Sequence, residues 1–475
     1  MCRTYKAGTH LIYKLLRIEQ LEERRMLAVI TVDSLLDNTT NDGLITVREA
    51  IIAANHDAIA DATEGGQSGD GADTIEFAVT GTIAIDSQLP TITEAITITG
   101  PGQDLLTIDA GDGDDGEFAT GDGWRIFQMF DGNTTSEFDV VLSGLTLTGG
   151  DTPRGIDDSP QINGQGGGAI GSLENLTVIE STITGNATGD GGNSTAPFGI
   201  GGTGGHGAGI FAAYGNLVVI TSTITGNQTG ANGTGGLQDG RGGQGAGIAA
   251  FGIDVVVTDS VISGNHTLGH SAYGGGLSNA YGNTTITGST ISGNTTEGDF
   301  STGGGIAARF VTLLVTGSVI NNNSTAGNGA GGGGIFTRTF ADQGTVNVTN
   351  TTISGNRVDQ DEGGGILTQS DPIHIVASTI TGNTARINRG SGIATFSGSV
   401  STVKLYGSIV AGNTNEDLAV LNATINAFDS QGYNIVGTGN DLGASGNASD
   451  AFNAPGDQTG VTNPQLGLLA DNGGP

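Results

Sequence analysis

Aliphatic residues return along this chain at fixed distances from a repeated asparagine. Hexapeptides related to STITGN end at Asn186, Asn227, Asn265, Asn294, Asn323, Asn356, Asn383 and Asn413, and three residues before these stand Ile183, Ile224, Ile262, Ile291, Ile320, Ile353, Ile380 and Val410. Eight residues before stand Val178, Val219, Val257, Ile286, Val315, Val348, Ile375 and Leu405, and ten before is aliphatic except at Thr284. Two positions that lie two apart face the same side of one strand. A small hydroxyl five residues before each Asn, Ser181 in the first copy and Thr351 in the sixth, predicts a bend between that strand and the next.

A glycine block such as GGGI precedes each of these segments and ends at Ile170, Ile210, Ile248, Leu277, Ile306, Ile335, Ile366 and Ile393. From there to the following Asn is 16 to 21 residues, whereas from each Asn to the next block it is 24, 21, 12, 12, 12, 10 and 10. Length variation is therefore concentrated at one corner of a unit of about 32 residues, which holds three short strands and three turns. Stacking such units strand over strand predicts an all-β fold, a right-handed single-stranded parallel β-helix of the pectin-lyase-like kind. In each rung the Ile points inward, the Gly-Asn turn calls for positive φ, and stacked Asn side chains can form an amide ladder. Looser copies at 96–111 and 140–150 are expected to begin the stack, and a dozen coils about 4.8 Å apart would make a rod near 60 Å.

Composition narrows the function. Among 475 residues are 87 glycines, with a net charge of −32. Six of the 16 basic residues fall within the first 25 positions, leaving a strongly acidic remainder that repels nucleic acid and attracts divalent cations. The single cysteine, Cys2, forms no internal disulfide, and no apolar run is long enough for a membrane helix.

The segment GLITVREAIIAAN (43–55) and the strands after it resemble the start of bacterial surface β-helix proteins with a CSLREAI-type motif, matched at Arg48, Glu49, Ala50 and Ile51. REAIIAAN also reads as a short amphipathic helix capping the first hydrophobic rung. The GGGI and ISGN pairs resemble polymorphic outer membrane protein repeats, a resemblance that implies adhesion at the cell surface. The tail, SQGYNIVGTG (430–439) and NPQLGLLADNGGP (463–475), looks like the segment preceding varied C-terminal anchors, a family in which the chain continues past this point. LRIEQLEERRMLA (16–28) resembles an export-associated motif of planctomycete-type proteins. The implied organisation is an export segment at 1–28, a cap at 29–74, the solenoid at 75–429, and an anchor-preceding segment at 430–475.

Candidate chemistry is sparse. Six residues before the Asn stand Glu180, Thr221, Asp259, Gly288, Gly317, Asn350, Ala377 and Gly407, which read as solvated strand positions. Arg309 and Arg338 occupy equivalent places in consecutive coils, and so call for an anion between them, either Asp342, the Asp361–Glu362 pair, or a sugar acid. Asp109, Asp112, Asp114, Asp115 and Glu117 form a glycine-rich acidic stretch that reads either as a plain acidic loop or as a weak Ca²⁺ site, its spacing not being that of an EF-hand. His266 and His270 are four apart in a turn, a weak metal pattern. No cofactor is required by any motif.

The reading is an exported, extracellular or cell-surface β-helix, an adhesin or a structural spacer, that meets polysaccharide or a partner surface at the variable corner, above all 187–205 and 228–244. Phe198, Phe211, Tyr214 and Phe251 lie in or near that corner and are candidates either for stacking on sugars or for partial core packing. Peripheral or anchored surface association fits this reading, while nucleic acid and an integral membrane segment do not. The alternative is a carbohydrate-active enzyme, a lyase or hydrolase, acting on acidic polysaccharide.

Overall fold

A computed structural model describes residues 29–56, 72–113, 117–338, 344–369, 372–386, 389–396, 403–421, 427–439 and 447–467. They form a right-handed parallel β-helix. Three long sheets of 13, 12 and 10 strands run along it, and every registered strand pair in them is parallel. In one coil the chain passes from the third sheet (Ile210–Ala213) through the first (Leu217–Ile220) to the second (Thr223–Thr225).

The register is the one the Asn alignment implies. Ile183 pairs with Ile224, then come Ile262, Ile291, Ile320, Ile353, Ile380 and Val410 in turn, all fully buried. The column from Val178 to Leu405 is equally continuous in the first sheet. One apolar core therefore runs from Ile30 to Phe452.

The asparagines lie inside this core as a ladder from Asn186 to Asn413. Each Nδ2 donates to the Oδ1 of the next Asn at 2.9–3.0 Å, and each backbone N–H donates to the same oxygen at 2.9–3.1 Å. The second Nδ2 proton goes to the carbonyl of the core aliphatic residue one coil back, as from Asn323 to Ile291 at 2.9 Å. Both donors and both acceptor sites of a mid-ladder amide are thereby used, as full burial demands. At the far end Asn413 donates to Oδ1 of Asp417 at 2.9 and 2.8 Å, and the carboxylate accepts what another Asn would have accepted.

A second ladder follows the small hydroxyls. The N–H of each Ser or Thr donates to the hydroxyl of the next coil at 3.1–3.4 Å. That hydroxyl donates to the carbonyl two residues back at 2.7–2.9 Å, which makes the bend. This ladder passes from Ser408 to Asn434 and also ends on a carboxylate, Asp457.

Three expectations are corrected. The residues six before the Asn are not strand residues: Glu180, Thr221, Asp259, Asn350 and Ala377 have φ between 44° and 48° and form the left-handed corner between the first two sheets. The stack begins earlier than 96–111, since Val29–Val32 already pairs with Asp73–Phe77. A fourth, four-stranded sheet follows the Asn in the middle coils, His266–Thr267 through Arg357–Val358, where the short connection stays extended and pairs with its neighbours. In the Gly-Asn turn it is the glycine that takes positive φ, at 61° in Gly185, while the Asn turns inward.

The helix Val47–Asn55 starts with a Thr46–Glu49 capping box and buries Val47, Ala50, Ile51, Ala53 and Ala54 in the core. Arg48 grips Asp37 at 2.7 and 2.8 Å and the carbonyls of Ser87 and Gln88, which ties this helix to the first coils. At the other end Phe452, following the short helix Ala448–Ala451, packs on Phe428. Residues 1–28 and 468–475, with the export motif and the end of the anchor-preceding tail, lie outside the described residues.

Two substitutions test this account. Asn323→Ala strips the acceptor from two buried donors of Asn294 and should cost about 2–4 kcal/mol in urea unfolding. Ala377→Gly relieves a left-handed alanine on the exposed corner and should stabilise by about 0.5–1 kcal/mol in the same measurement.

Candidate functional site

The two longest insertions at the variable corner are not free loops. Residues 187–205 and 228–244 hydrogen-bond to each other through their backbones, Gly191 to Ala231 and Ser194 to Thr234 at 2.8 Å and Gly201 to Gln238 at 3.0 Å. Their buried glycines touch: a Cβ on Gly202 would lie 1.8 Å from the Ile162 carbonyl oxygen, and one on Gly240 would lie 1.8 Å from that of Gly202. Glycine is required there because backbone packs directly on backbone. The result is a glycine-rich slab in which backbone packs on backbone, and Phe198, at 84% exposure, stands out from it.

Between this slab and the outer face of the third sheet lies a cleft of about 350 Å³, lined by Arg125, Asn163, Gly164, Gly166, Thr203, Gly204, His206 and Phe211. Arg125, just before the strand Phe127–Met129, is held by the carbonyls of Gly167 (2.9 Å) and Gly166 and by Gln128. Burial lowers its pKa to about 10, so it stays a cation at neutral pH. Among the described residues no carboxylate pairs with it.

His206 lies in the next coil but one. Burial, with Arg309 adding to the effect, pushes its pKa down to about 4, so it is neutral. Its Nδ1 accepts the Gln244 N–H at 3.0 Å, which places the ring proton on Nε2. Neither nitrogen then has a free lone pair, and His206 is a donor rather than a base. Its ring lies 5.5 Å from that of Phe251, which is 5.9 Å from Phe211.

Arg309 continues the same strip. Its guanidinium lies 3.9 Å over the Tyr273 ring and donates to Gln244 Oε1 at 2.6 Å, while its buried Nε has no partner. Desolvation lowers its pKa, and the nearby Arg241 does so too. Arg309 and Arg338 are paired in register, as their spacing implied. The carboxylates expected between them are engaged elsewhere: Glu362 and Asp361 both face Arg389, Asp361 at 3.8 Å. Arg309 instead turns back toward Tyr273, leaving Arg338 exposed. Asp342 lies outside the described residues.

Of the four aromatic candidates, the structure brings Phe211 and Phe251 together. Phe198 stands at the slab tip, and Tyr214 occupies a left-handed turn at the opposite end of its strand, φ 69°. Asp114 and Asp115 of the acidic loop are outside the described residues. Asp109 caps its own turn through Gly111 N at 2.9 Å, Glu117 is exposed, and burial followed by the charge of Asp109 raises the pKa of Asp112. His266 pairs with Glu297 at 3.1 Å while His270 is exposed, and no three metal-ligating side chains converge among the described residues.

Arg125, His206, Arg241, Gln244 and Tyr273 were not singled out from the sequence. The signal was available in the column four residues before each glycine block's last aliphatic residue, which reads Gly166, His206, Gln244, Tyr273, Thr302, Gly331, Glu362 and Arg389. It varies from coil to coil where the core columns do not.

No protein-family model and no curated protein matches the chain. Among solved structures it is similar to the A-modules of Azotobacter vinelandii mannuronan C-5 epimerases AlgE6 and AlgE4. Each is 14% identical, with TM-scores of 0.35 and 0.37, and the matches cover 83% and 81% of this chain and 97% and 95% of those. It is also similar to PfbA, a surface adhesin of Streptococcus pneumoniae, at 12% identity and a TM-score of 0.29, covering 82% of this chain and 87% of that one. No activity passes from these likenesses to this chain.

One prediction concerns Glu362, whose pKa is pushed up to about 7 by burial, with Asp361 adding to the rise and Arg389 opposing it. A carboxyl that keeps its proton to higher pH when folded contributes stability that is complete below its ordinary value of 4.5 and is lost as pH rises through about 7. Melting temperatures of Glu362→Gln should accordingly fall less between pH 4.5 and 7 than those of the parent; parallel curves would count against this assignment.

Proposed function

We propose that this chain is an extracellular or cell-surface β-helix that binds glycan without turning it over, an adhesin or a glycan-anchored spacer. The observation that supports this most is the cleft itself. Its wall is built by residues 163–166 and by Thr203 and Gly204 of the first insertion, its floor by the outer sheet face, and its lining includes both a guanidinium and an aromatic ring. Apolar rings beside a few placed polar groups suit a sugar, which has both kinds of surface.

The enzymatic alternative finds less support. Glycoside hydrolysis uses two carboxylates flanking the bond, and none is among the residues lining the cleft. Proton abstraction needs a base, and the tautomer of His206 makes it a donor. Export and surface attachment accord with the sequence resemblances at both ends, and no helix among the described residues is long and apolar enough to cross a membrane.

The test is a glycan array together with assays for released reducing ends and unsaturated uronates, run with and without Ca²⁺ to include the acidic loop. Binding with no product is the expected result. Product release would replace this reading with the enzymatic one.

A further inference from the structure

We propose that the strip from Arg125 through His206, Phe211 and Phe251 to Arg309 binds an anionic glycan chain, its guanidiniums pairing with carboxylate or sulfate groups on sugars stacked against the phenyl rings. This rests on the glycan-binding reading above and names the ligand class and the residues that recognise it.

Charge is the first argument. The protein carries −32, and of its 16 basic residues six lie within the first 25, so ten serve the rest of the chain. Three of those ten, Arg125, Arg241 and Arg309, border this one strip. Arg154, Arg357 and Arg389 each have a carboxylate partner and Arg48 has Asp37, whereas no carboxylate pairs with Arg125 or Arg309 among the described residues. A desolvated guanidinium held only by carbonyls, an amide and a ring is a costly arrangement that an incoming anion relieves. The two N–H groups that Arg125 leaves unused are donors available to it, and the buried Nε of Arg309 has no partner.

Spacing is the second. Arg125 is fastened to the coil of Gly166 and Gly167, and Arg309 reaches back to Gln244, two coils further along. Two steps of about 4.8 Å set the guanidiniums roughly 10 Å apart along the axis. Phe211 and Phe251, with the Nε2–H of His206, fill the interval. The site is thus an elongated row of cation, rings and cation, which selects a polymer with repeated anionic groups over a single small anion.

The test is calorimetric titration of the full chain with three oligosaccharides of equal length, one neutral, one uronate and one sulfated. At least one anionic oligomer should bind, more weakly as salt rises, and the neutral one should bind much less. The anionic oligomer that binds identifies the charged group. Arg309→Gln should lower that affinity about tenfold or more, the loss of one charge-assisted hydrogen bond, while leaving the melting temperature near that of the parent. If that variant melts early, Arg241→Gln, at an exposed side chain, replaces it and should give a smaller loss in the same direction. Equal binding of neutral and anionic oligomers, or unchanged affinity in well-folded variants, overturns this site and leaves the glycan-binding reading standing. Failure of every oligomer and of the whole array overturns both.

Discussion

A buried amide must use all of its hydrogen-bonding groups, and the organisation of this molecule follows from that constraint. An Asn in the core satisfies itself only if an amide or carboxylate oxygen lies directly above it and a carbonyl lies one coil below. Each coil is consequently committed to the register of its neighbours, and a slip of one residue would leave donors orphaned as well as turning the Ile column outward. The glycine block belongs to the same device. A Cβ on Gly334 would lie 2.6 Å from the Gly365 carbonyl oxygen and 3.1 Å from the Asn356 amide, so the small residue makes room for the ladder.

The ladders have a direction. The backbone N–H and one Nδ2 proton of each ladder Asn point toward the C-terminal coils, as do the N–H groups of the hydroxyl ladder, so the last rung of each needs an acceptor, and Asp417 and Asp457 supply them. Hydrophobic ends need closing as well, by the helix Val47–Asn55 at one end and Phe452 at the other. With the rungs so constrained, most of the extra length is placed after the Asn. There the chain has left the core and the insertions have room to pack on one another as a glycine slab.

The cleft is a consequence of that arrangement. The slab stands beside the outer face of the third sheet, where the column before each glycine block differs from coil to coil while Ala307, Phe336 and Leu367 form a small apolar cluster of their own. Cations gather there in an otherwise acidic molecule, and burial raises their power to hold an anion by stripping away competing water.

The fold was legible because its causes are local and repeated: Ile, Ser, Asn and Gly recur at fixed intervals, and the register found is the one those intervals imply. Arg309 and Arg338 were likewise placed correctly in neighbouring coils. Where their guanidiniums point was not legible, because Arg389, Tyr273 and Gln244 compete for the partners and come from different coils. The ladder caps, the slab and the convergence of Arg125 with His206 were hidden for the same reason. Periodicity alone determined which residues face inward and where length can vary, since each is a property of one repeat. Only the tertiary structure decided which outward side chains meet, because those contacts join coils whose residues follow no common pattern.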